Sequence, residues 1–486
     1  MIIYFNGVSN EYDLRTIIEI FMPKNQIQVV DTKNLFLEKL RDFKYGLEIV
    51  EEPHQRSMIL YRGTDHKVLV ERTLFAVDGG SKTALKRTLY EVLETVYAPI
   101  GKWGILVGIR PVKIVHEFLD QGKTVDEIKN VMASTYLVHP DKIDLLIETA
   151  LRERPHLYPL DQSAVSLYLC IPFCPTRCLY CSFPSNEISK KGKLLPTYLD
   201  LMIQELIFAV SEIKRSGKHI DCVYIGGGTP TTLDVKQLER LLEEIVQQVP
   251  INQIKEFSVE AGRPDTISME KLDVMKSFGV NRICINPQTM RDDTLTRVGR
   301  SHDSGTIVDI MKMARKVGFE TINMDVIMGL PGETVTDTNE TLKKLIELKP
   351  ENLTVHTLAV KRASNLNASI DEIELAHDGE VERMLSDGDA LVRQFGYTPY
   401  YMYRQKKMIG HLENIGYALS GHASLYNMRI MEERHTIVAI GAGAVSKICF
   451  PDDNRHERVA NFKGLEDYIS RFDEILEKKK AINELK

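Results

Sequence analysis

Cys174, Cys178 and Cys181 fall in one short stretch, Cys174-Pro175-Thr176-Arg177-Cys178-Leu179-Tyr180-Cys181, directly after the apolar run Val165 to Ile171. Three thiolates at this spacing can wrap around a single soft-metal centre. A fourth would close a structural zinc or iron–sulfur site, whereas three leave one corner open, as catalysis at a metal requires. Downstream, Ser182-Phe183-Pro184-Ser185-Asn186 offers neither Cys nor His. Cys170 could still serve as a fourth ligand, although it belongs to an apolar segment that reads as a strand. A disulfide is disfavoured because nothing marks the chain as secreted. Spacing and context together favour an open-cornered [4Fe–4S] cluster over zinc or a disulfide.

The elements that must position this loop follow a regular pattern from residue 165 onward. Strand-like runs occur at Val165–Ile171, Cys222–Ile225, Phe257–Glu260, Arg282–Asn286, Thr321–Met328 and Leu353–Val360. Helical stretches lie between them, at Tyr198–Arg215, Val235–Val246, Ser268–Ser277, Asp303–Val317 and Val335–Leu348. Strands alternating with helices imply parallel βαβ units and a barrel or open wound sheet. In such folds the functional residues gather where the strands end.

Those ends carry unusual residues. The second strand closes on Gly226-Gly227-Gly228-Thr229-Pro230, backbone that can approach a neighbour with no Cβ in the way. The third closes on Glu260, a carboxylate able to accept hydrogen bonds from hydroxyl groups. The fifth carries Asp325 within an apolar run, which is costly unless a ligand or a nearby Arg pairs with it.

The cysteine spacing, with the aromatic Tyr180 before the last Cys, resembles the radical S-adenosylmethionine (SAM) signature. The wider string Ser166-Leu167-Tyr168-Leu169-Cys170-Ile171-Pro172-Phe173-Cys174 is similar to the oxygen-independent coproporphyrinogen III oxidases and their relatives, above all the long HemZ-like branch with its extra N-terminal region. The resemblance spans roughly residues 163–450. It implies a partial (β/α)6 barrel, an α/β fold, with Cys174, Cys178 and Cys181 holding the cluster and acting in catalysis. It further implies SAM contacts from Tyr168, Gly227, Gly228, Thr229, Glu260 (to the ribose) and Val445, the last in the small-residue turn Gly441-Ala442-Gly443-Ala444. Tyr180, Gln288, Arg300, Asp325 and Ala359 match positions that touch a second SAM molecule in the oxidases.

The activity so implied is oxidative decarboxylation of coproporphyrinogen III to protoporphyrinogen IX. A 5′-deoxyadenosyl radical takes a hydrogen from a propionate, and carbon dioxide and one more electron leave to give a vinyl group. The expected partners are the tetrapyrrole substrate and a flavodoxin- or ferredoxin-type electron donor. A substrate rich in carboxylates needs cationic anchors, and Lys361, Arg362 and Arg404 are the candidates. Two departures stand out: the oxidases carry His at the position of Cys170 and a further Cys at that of Phe183. The Cys-x2-Cys-Ser-Phe ending instead resembles the related haem-chaperone branch, whose His-Asn-x2-Tyr-Trp string has only an echo in Asn414-Ile415-Gly416-Tyr417. A haem-binding carrier, or an enzyme acting on another tetrapyrrole, therefore stands as the alternative.

A chain of 486 residues suggests two or three domains. The expected division is an α+β accessory region with a helical linker over 1–160, the barrel over 161–365 and a C-terminal α+β cap over 366–486. At 27% charged, 43% hydrophobic and a net charge of −6, the composition is that of an ordinary soluble protein and not of a general nucleic-acid binder. No apolar run stands out as a membrane span and Met1-Ile2-Ile3-Tyr4-Phe5 reads as a strand, so a cytoplasmic location is expected. Within 1–160 the strands Ile2–Phe5, Ile27–Val30, Ser57–Tyr61 and Val68–Leu74 and the helices Thr83–Ala98, Val125–Met132 and Asp141–Arg152 are expected. Trp103 and Arg110 there read as packing or turn residues. The Tyr397–Tyr403 run reads as packing, and Lys478–Lys486 as a solvated helix end.

Overall fold

Six apolar runs become parallel strands: β1 (Ala164–Ile171), β2 (His219–Gly227), β3 (Glu256–Gly262), β4 (Arg282–Gln288), β5 (Thr321–Met328) and β6 (Asn352–Thr357). Each pairs in parallel with the next in chain order. Both faces of these strands are buried, which explains why they read as continuous apolar runs rather than alternating ones. The computed structural model describes residues 1–75, 81–108, 110–183, 185–369, 373–451 and 455–484. Ile109, Pro184, Asp371, Leu485 and Lys486, each part of a stretch read above, lie outside them.

The crossovers are helices α1 (Leu195–Arg215), α2 (Val235–Gln248), α3 (Met269–Ser277), α4 (Ser304–Val317) and α5 (Val335–Glu347). Local chemistry sets where they start. Asp234 and Gln237 form a reciprocal capping box at α2, Thr334 and Asp337 another at α5, and Asp303 caps α4 instead of opening it. Gly318, at φ +84°, stops α4 in the left-handed conformation.

The C-terminal region adds to the same sheet. Its elements are α6 (Asp378–Gln394), β7 (Thr398–Tyr403), β8 (Asn414–Ala418), α7 (Leu425–Glu432), β9 (Ile437–Ile440), β10 (Val445–Phe450), β11 (Arg455–Ala460), α8 (Leu465–Ser470) and α9 (Phe472–Lys479). The strand order is β7-β8-β6-β5-β4-β3-β2-β1-β9-β10-β11, an open arc. β9 runs parallel to β1, and β8 antiparallel to β6. Tyr400 and Tyr401 are buried, in line with packing.

α1 corrects one expectation. The helical stretch Ile188–Arg215 is long and apolar enough by composition to cross a membrane. Its apolar residues are those of a core helix: Leu195, Tyr198, Leu199, Met202, Leu206 and Ala209 are all buried. Glu205 on this helix is fully buried and meets the fully buried Lys479 of α9 at 3.2 Å.

The chain divides into two compact units, Glu148–Tyr403 with Glu413–Lys486, and Met1–Ile147 with Arg404–Leu412. The unit containing Met1 has a mixed five-stranded sheet in the order Gln28–Val30, Ile2–Asn6, Tyr45–Glu52, Gln55–Arg62, Val68–Phe75. Its core gathers Ile3, Leu14, Ile17, Leu47, Ile49 and Leu89. The central strand Tyr45–Glu52 escapes a reading by composition because Gly46 and Glu48 interrupt it. Glu48 is buried yet satisfied, by Lys33 Nζ at 2.8 Å and the Tyr61 hydroxyl at 2.8 Å. The helix expected at Thr83–Ala98 runs Lys82–Glu94, and Val125–Ser134 opens on a Thr124/Glu127 capping box.

Arg404 belongs to this unit and is not a substrate anchor. Its guanidinium donates to the carbonyls of Leu106, His411 and Leu412 and lies 4.7 Å from the Trp103 ring centroid. A buried guanidinium with its donors spent on backbone carbonyls holds loops together.

Candidate metal centre and cofactor site

The cysteine loop leaves β1 through a two-residue strand, Phe173–Cys174, that pairs in parallel with Asn186–Glu187 and so closes the loop at its base. Two further segments, 298–299 and 363–366, grip it. Leu179 N donates to Val298 O at 3.0 Å, Leu366 N donates to Leu179 O at 2.8 Å, and Thr176 Oγ1 donates to Gly299 O at 3.2 Å. Arg177 reaches the carbonyl of Ala363. Cys174 and Cys178 are buried, Cys181 is half-buried, and all three are free thiols. Burial pushes the Cys174 and Cys181 thiols up.

Cys170 stands apart from them. It packs with Ala439 and Ala444 in an apolar cluster. Desolvation pushes its thiol up to about 12.

The glycine run after β2 shows why it cannot carry side chains. Gly227 has φ +112°, and a Cβ on it would come within 2.8 Å of Cys170 Sγ. A Cβ on Gly228 would lie 2.6 Å from Phe173 O and 2.9 Å from Cys174 Sγ. Gly228 N donates to Ile171 O and Thr229 N to Phe173 O, both at 2.8 Å, and Thr229 Oγ1 lies 3.5 Å from Cys174 Sγ. The turn is therefore packed directly on the first limb of the cysteine loop.

Glu260, at the end of β3, accepts a 2.6 Å hydrogen bond from the Tyr224 hydroxyl. Burial, with the charge of Asp325 adding to it, pushes its carboxyl up to about 7. Tyr224 is one of three mutually stacked rings with Tyr168 and Tyr426; the Tyr224–Tyr426 centroids are 4.2 Å apart.

Around Tyr180 the polar groups are only half satisfied. Arg300 donates to the Tyr180 hydroxyl at 2.9 Å and to Asn286 O at 2.8 Å. Its Nε, Asn286 Oδ1 and Gln288 Oε1 are buried with no hydrogen-bond partner among the described residues. Gln288 also sits at φ +71° beside a register irregularity between β4 and β5.

Among the described residues no Arg pairs with Asp325. Asn323 Nδ2 donates to it at 2.7 Å, and His356 Nε2 of β6 lies 3.6 Å away. The adjacent strand supplies the partner because β5 and β6 are in direct register. Ala359 lies just beyond the end of β6, and Val445 opens β10 half-buried. Gly441 N donates to Glu205 Oε2 at 2.9 Å, tying the small-residue turn to α1.

Sequence reading missed Arg263. It follows the end of β3, is buried, and brings Nη1 to 3.9 Å from Cys178 Sγ and 2.6 Å from Thr176 Oγ1. Asp265 takes a two-pronged contact from it, at 3.0 and 2.8 Å, and His302 Nδ1 lies 3.5 Å from Asp265. The strand-end rule that singled out Glu260 also pointed to Arg263.

Comparison with known proteins places this arrangement. The radical SAM superfamily model matches residues 168–345. The oxygen-independent coproporphyrinogen-III oxidase-like protein HemZ of Bacillus subtilis is 39% identical over 416 residues, 83% of each chain. The chain is a radical SAM protein of the coproporphyrinogen III oxidase-like family. Within that family it also resembles the haem chaperone HemW of Bacillus subtilis, 36% identical over 40% of this chain and 51% of that one. The solved coproporphyrinogen III oxidase of Escherichia coli shares the fold, with a TM-score of 0.52 at 24% identity over 67% of this chain and 73% of that one. Radical SAM proteins carry a [4Fe–4S] cluster and SAM. The residues present fit both: three free thiols in one tethered loop, and buried donors and acceptors without partners beside it.

Proposed function

We propose that this protein is a radical SAM enzyme that oxidatively decarboxylates coproporphyrinogen III to protoporphyrinogen IX in the cytoplasm. The observation that carries the reading is the 39% identity to HemZ over 83% of both chains, which includes the cysteine loop and every strand end that frames it. When bound, the cluster and SAM supply a carbon radical able to take hydrogen from an unactivated C–H bond.

The chain's own residues position and enclose. Cys174, Cys178 and Cys181 hold the cluster; Gly227, Gly228 and Thr229 bring backbone to the methionine end of SAM; Glu260 accepts from the ribose; Tyr168 and Val445 pack along it. Gln288, Arg300, Asp325, Ala359 and Tyr180 form a second SAM site. Its support is the set of unpartnered atoms on Gln288, Asn286 and Arg300, which a ligand would satisfy.

The second reading, a haem-binding carrier, is favoured by the Cys-x2-Cys-Ser-Phe ending and the likeness to HemW. One anaerobic assay separates the two. Reconstituted protein with SAM, reductant and coproporphyrinogen releases carbon dioxide and 5′-deoxyadenosine in step with vinyl formation if it is the oxidase. Stoichiometric haem binding without turnover selects the carrier.

A further inference from the structure

We infer that the outer rim of the cysteine loop is the docking surface for an acidic one-electron donor protein, centred on Phe183 and the cations Lys190, Lys193 and Arg362. The inference rests on the cluster assignment above. Phe183 is 64% exposed, an apolar ring in water two residues after Cys181. That separation is at most about 7 Å along the chain. Cys181 is itself the least buried of the three cysteines.

The segments that frame the loop carry an excess of cations close to that ring in sequence, with Glu187 as the carboxylate paired to Lys190. The Phe173–Cys174/Asn186–Glu187 pairing sets Lys190 and Lys193 a few residues from the loop's base. The link from Arg177 to Ala363 sets Arg362 against its other flank. Lys193 and Arg362 are exposed and have no carboxylate partner among the described residues. Lys190 keeps 70% of its side chain exposed while touching Glu187. This is a cationic collar on a chain whose net charge is −6, so the local excess runs against the bulk.

The collar fits a protein better than a polycarboxylate substrate. Exposed lysines on flexible stems steer encounter and release quickly, as weak electron-transfer contacts require. A buried carboxylate wants a fixed guanidinium fork. An exposed aromatic amid cations is an interface anchor. In the step itself the donor is oxidised by one electron and the cluster reduced by one; no bond forms or breaks.

The test uses full-length reconstituted protein with reduced flavodoxin as donor, followed by stopped-flow bleaching of the cluster absorption. Calorimetry of oxidised flavodoxin binding to the reconstituted protein with its cluster oxidised is run in parallel. Lys190→Glu/Lys193→Glu slows flavodoxin-driven reduction about tenfold at low salt, with a flattened salt dependence, and weakens binding by a similar factor. Phe183→Ser weakens binding with little change in salt dependence. Dithionite reduces wild type and variants alike. Unchanged flavodoxin rates and binding in the variants, with normal dithionite reduction, overturn the docking surface and leave the cluster assignment standing. A raised KM for coproporphyrinogen at unchanged donor rates overturns it too, in favour of a substrate rim. Absence of a reducible cluster in the wild type refutes the assignment beneath it.

Discussion

Arg263 Nη1 lies 3.9 Å from Cys178 Sγ, both groups buried, with Asp265 holding the other side of the guanidinium. A fixed positive charge beside a cluster thiolate favours the reduced, more negative state of the centre. Arg263→Gln therefore moves the cluster potential to a more negative value while iron content stays near wild type. A redox titration followed by electron paramagnetic resonance checks this, and an unchanged potential would show that Arg263 only braces the loop.

The close packing of the glycine turn on the cysteine loop predicts a sharp steric effect. Gly228→Ala forces a Cβ to within 2.6 Å of Phe173 O and 2.9 Å of Cys174 Sγ, and neither atom can yield without moving the loop. Iron retained per chain after anaerobic reconstitution is expected to fall severalfold. Gly217→Ala is the control: it has a similar positive φ of +77° but nothing within 4 Å, so it costs only about 1 kcal/mol of stability. Equal iron loading in the two variants would remove the steric argument.

Glu260 predicts a pH dependence for SAM binding. Its carboxyl is held at about 7 by burial, with Asp325 adding to the shift, so below neutrality it carries a proton. In the proposed SAM site a ribose hydroxyl would donate to the carboxylate form. Affinity for SAM then rises with pH through about 7 and is about two- to tenfold weaker at pH 6 than at pH 8. Glu260→Gln flattens the profile. Equilibrium dialysis across this range is the measurement, and a parallel slope in the variant would assign the titration elsewhere.

The buried pair Glu205–Lys479 should be expensive to break from one side. Both side chains are fully buried, and Glu205 also accepts from Tyr468, Asn461 and Gly441 N. Lys479→Met leaves that carboxylate without its cation and is expected to cost about 3–5 kcal/mol in denaturant unfolding. The double variant Glu205→Gln/Lys479→Met should lose less than the sum of the singles, because neither charge is then stranded. Simple additivity would mean the two groups are not coupled.

Acid stability follows from His435 and Asp221. His435 is buried, and desolvation, together with the positive Arg429, lowers its ring to about 3. In the unfolded chain it takes a proton near 6.5. Between those values the unfolded state binds more protons, so stability falls as pH drops through that window, by up to about 1.4 kcal/mol per unit. Asp221, held at about 2 despite its burial by Arg429 at 2.5 and 2.9 Å and by Lys255, adds a second loss of the same sign below about pH 4. His435→Gln removes the first limb only, which unfolding curves at pH 4, 5 and 6 resolve.

The sequence by itself determined the cysteine loop and the succession of strands and helices. These are local facts: the thiol spacing is one loop, the apolar runs are contiguous, and Thr124 sits immediately before its helix. It also singled out Glu260 and Asp325, because parallel strands bring their ends to one edge, whereas Gln288 and Arg300 were implied by the family resemblance. What only the tertiary structure decided is which atoms meet. That Asp325 answers to His356, that Arg263 reaches Cys178, and that Arg404 braces backbone around Trp103 all depend on register and packing between residues distant in the chain. The strand Tyr45–Glu52 belongs to the same class. Its buried Glu48 looks wrong for a central strand until folding brings Lys33 and Tyr61 to it, since a carboxylate can be buried only where partners from elsewhere in the chain converge.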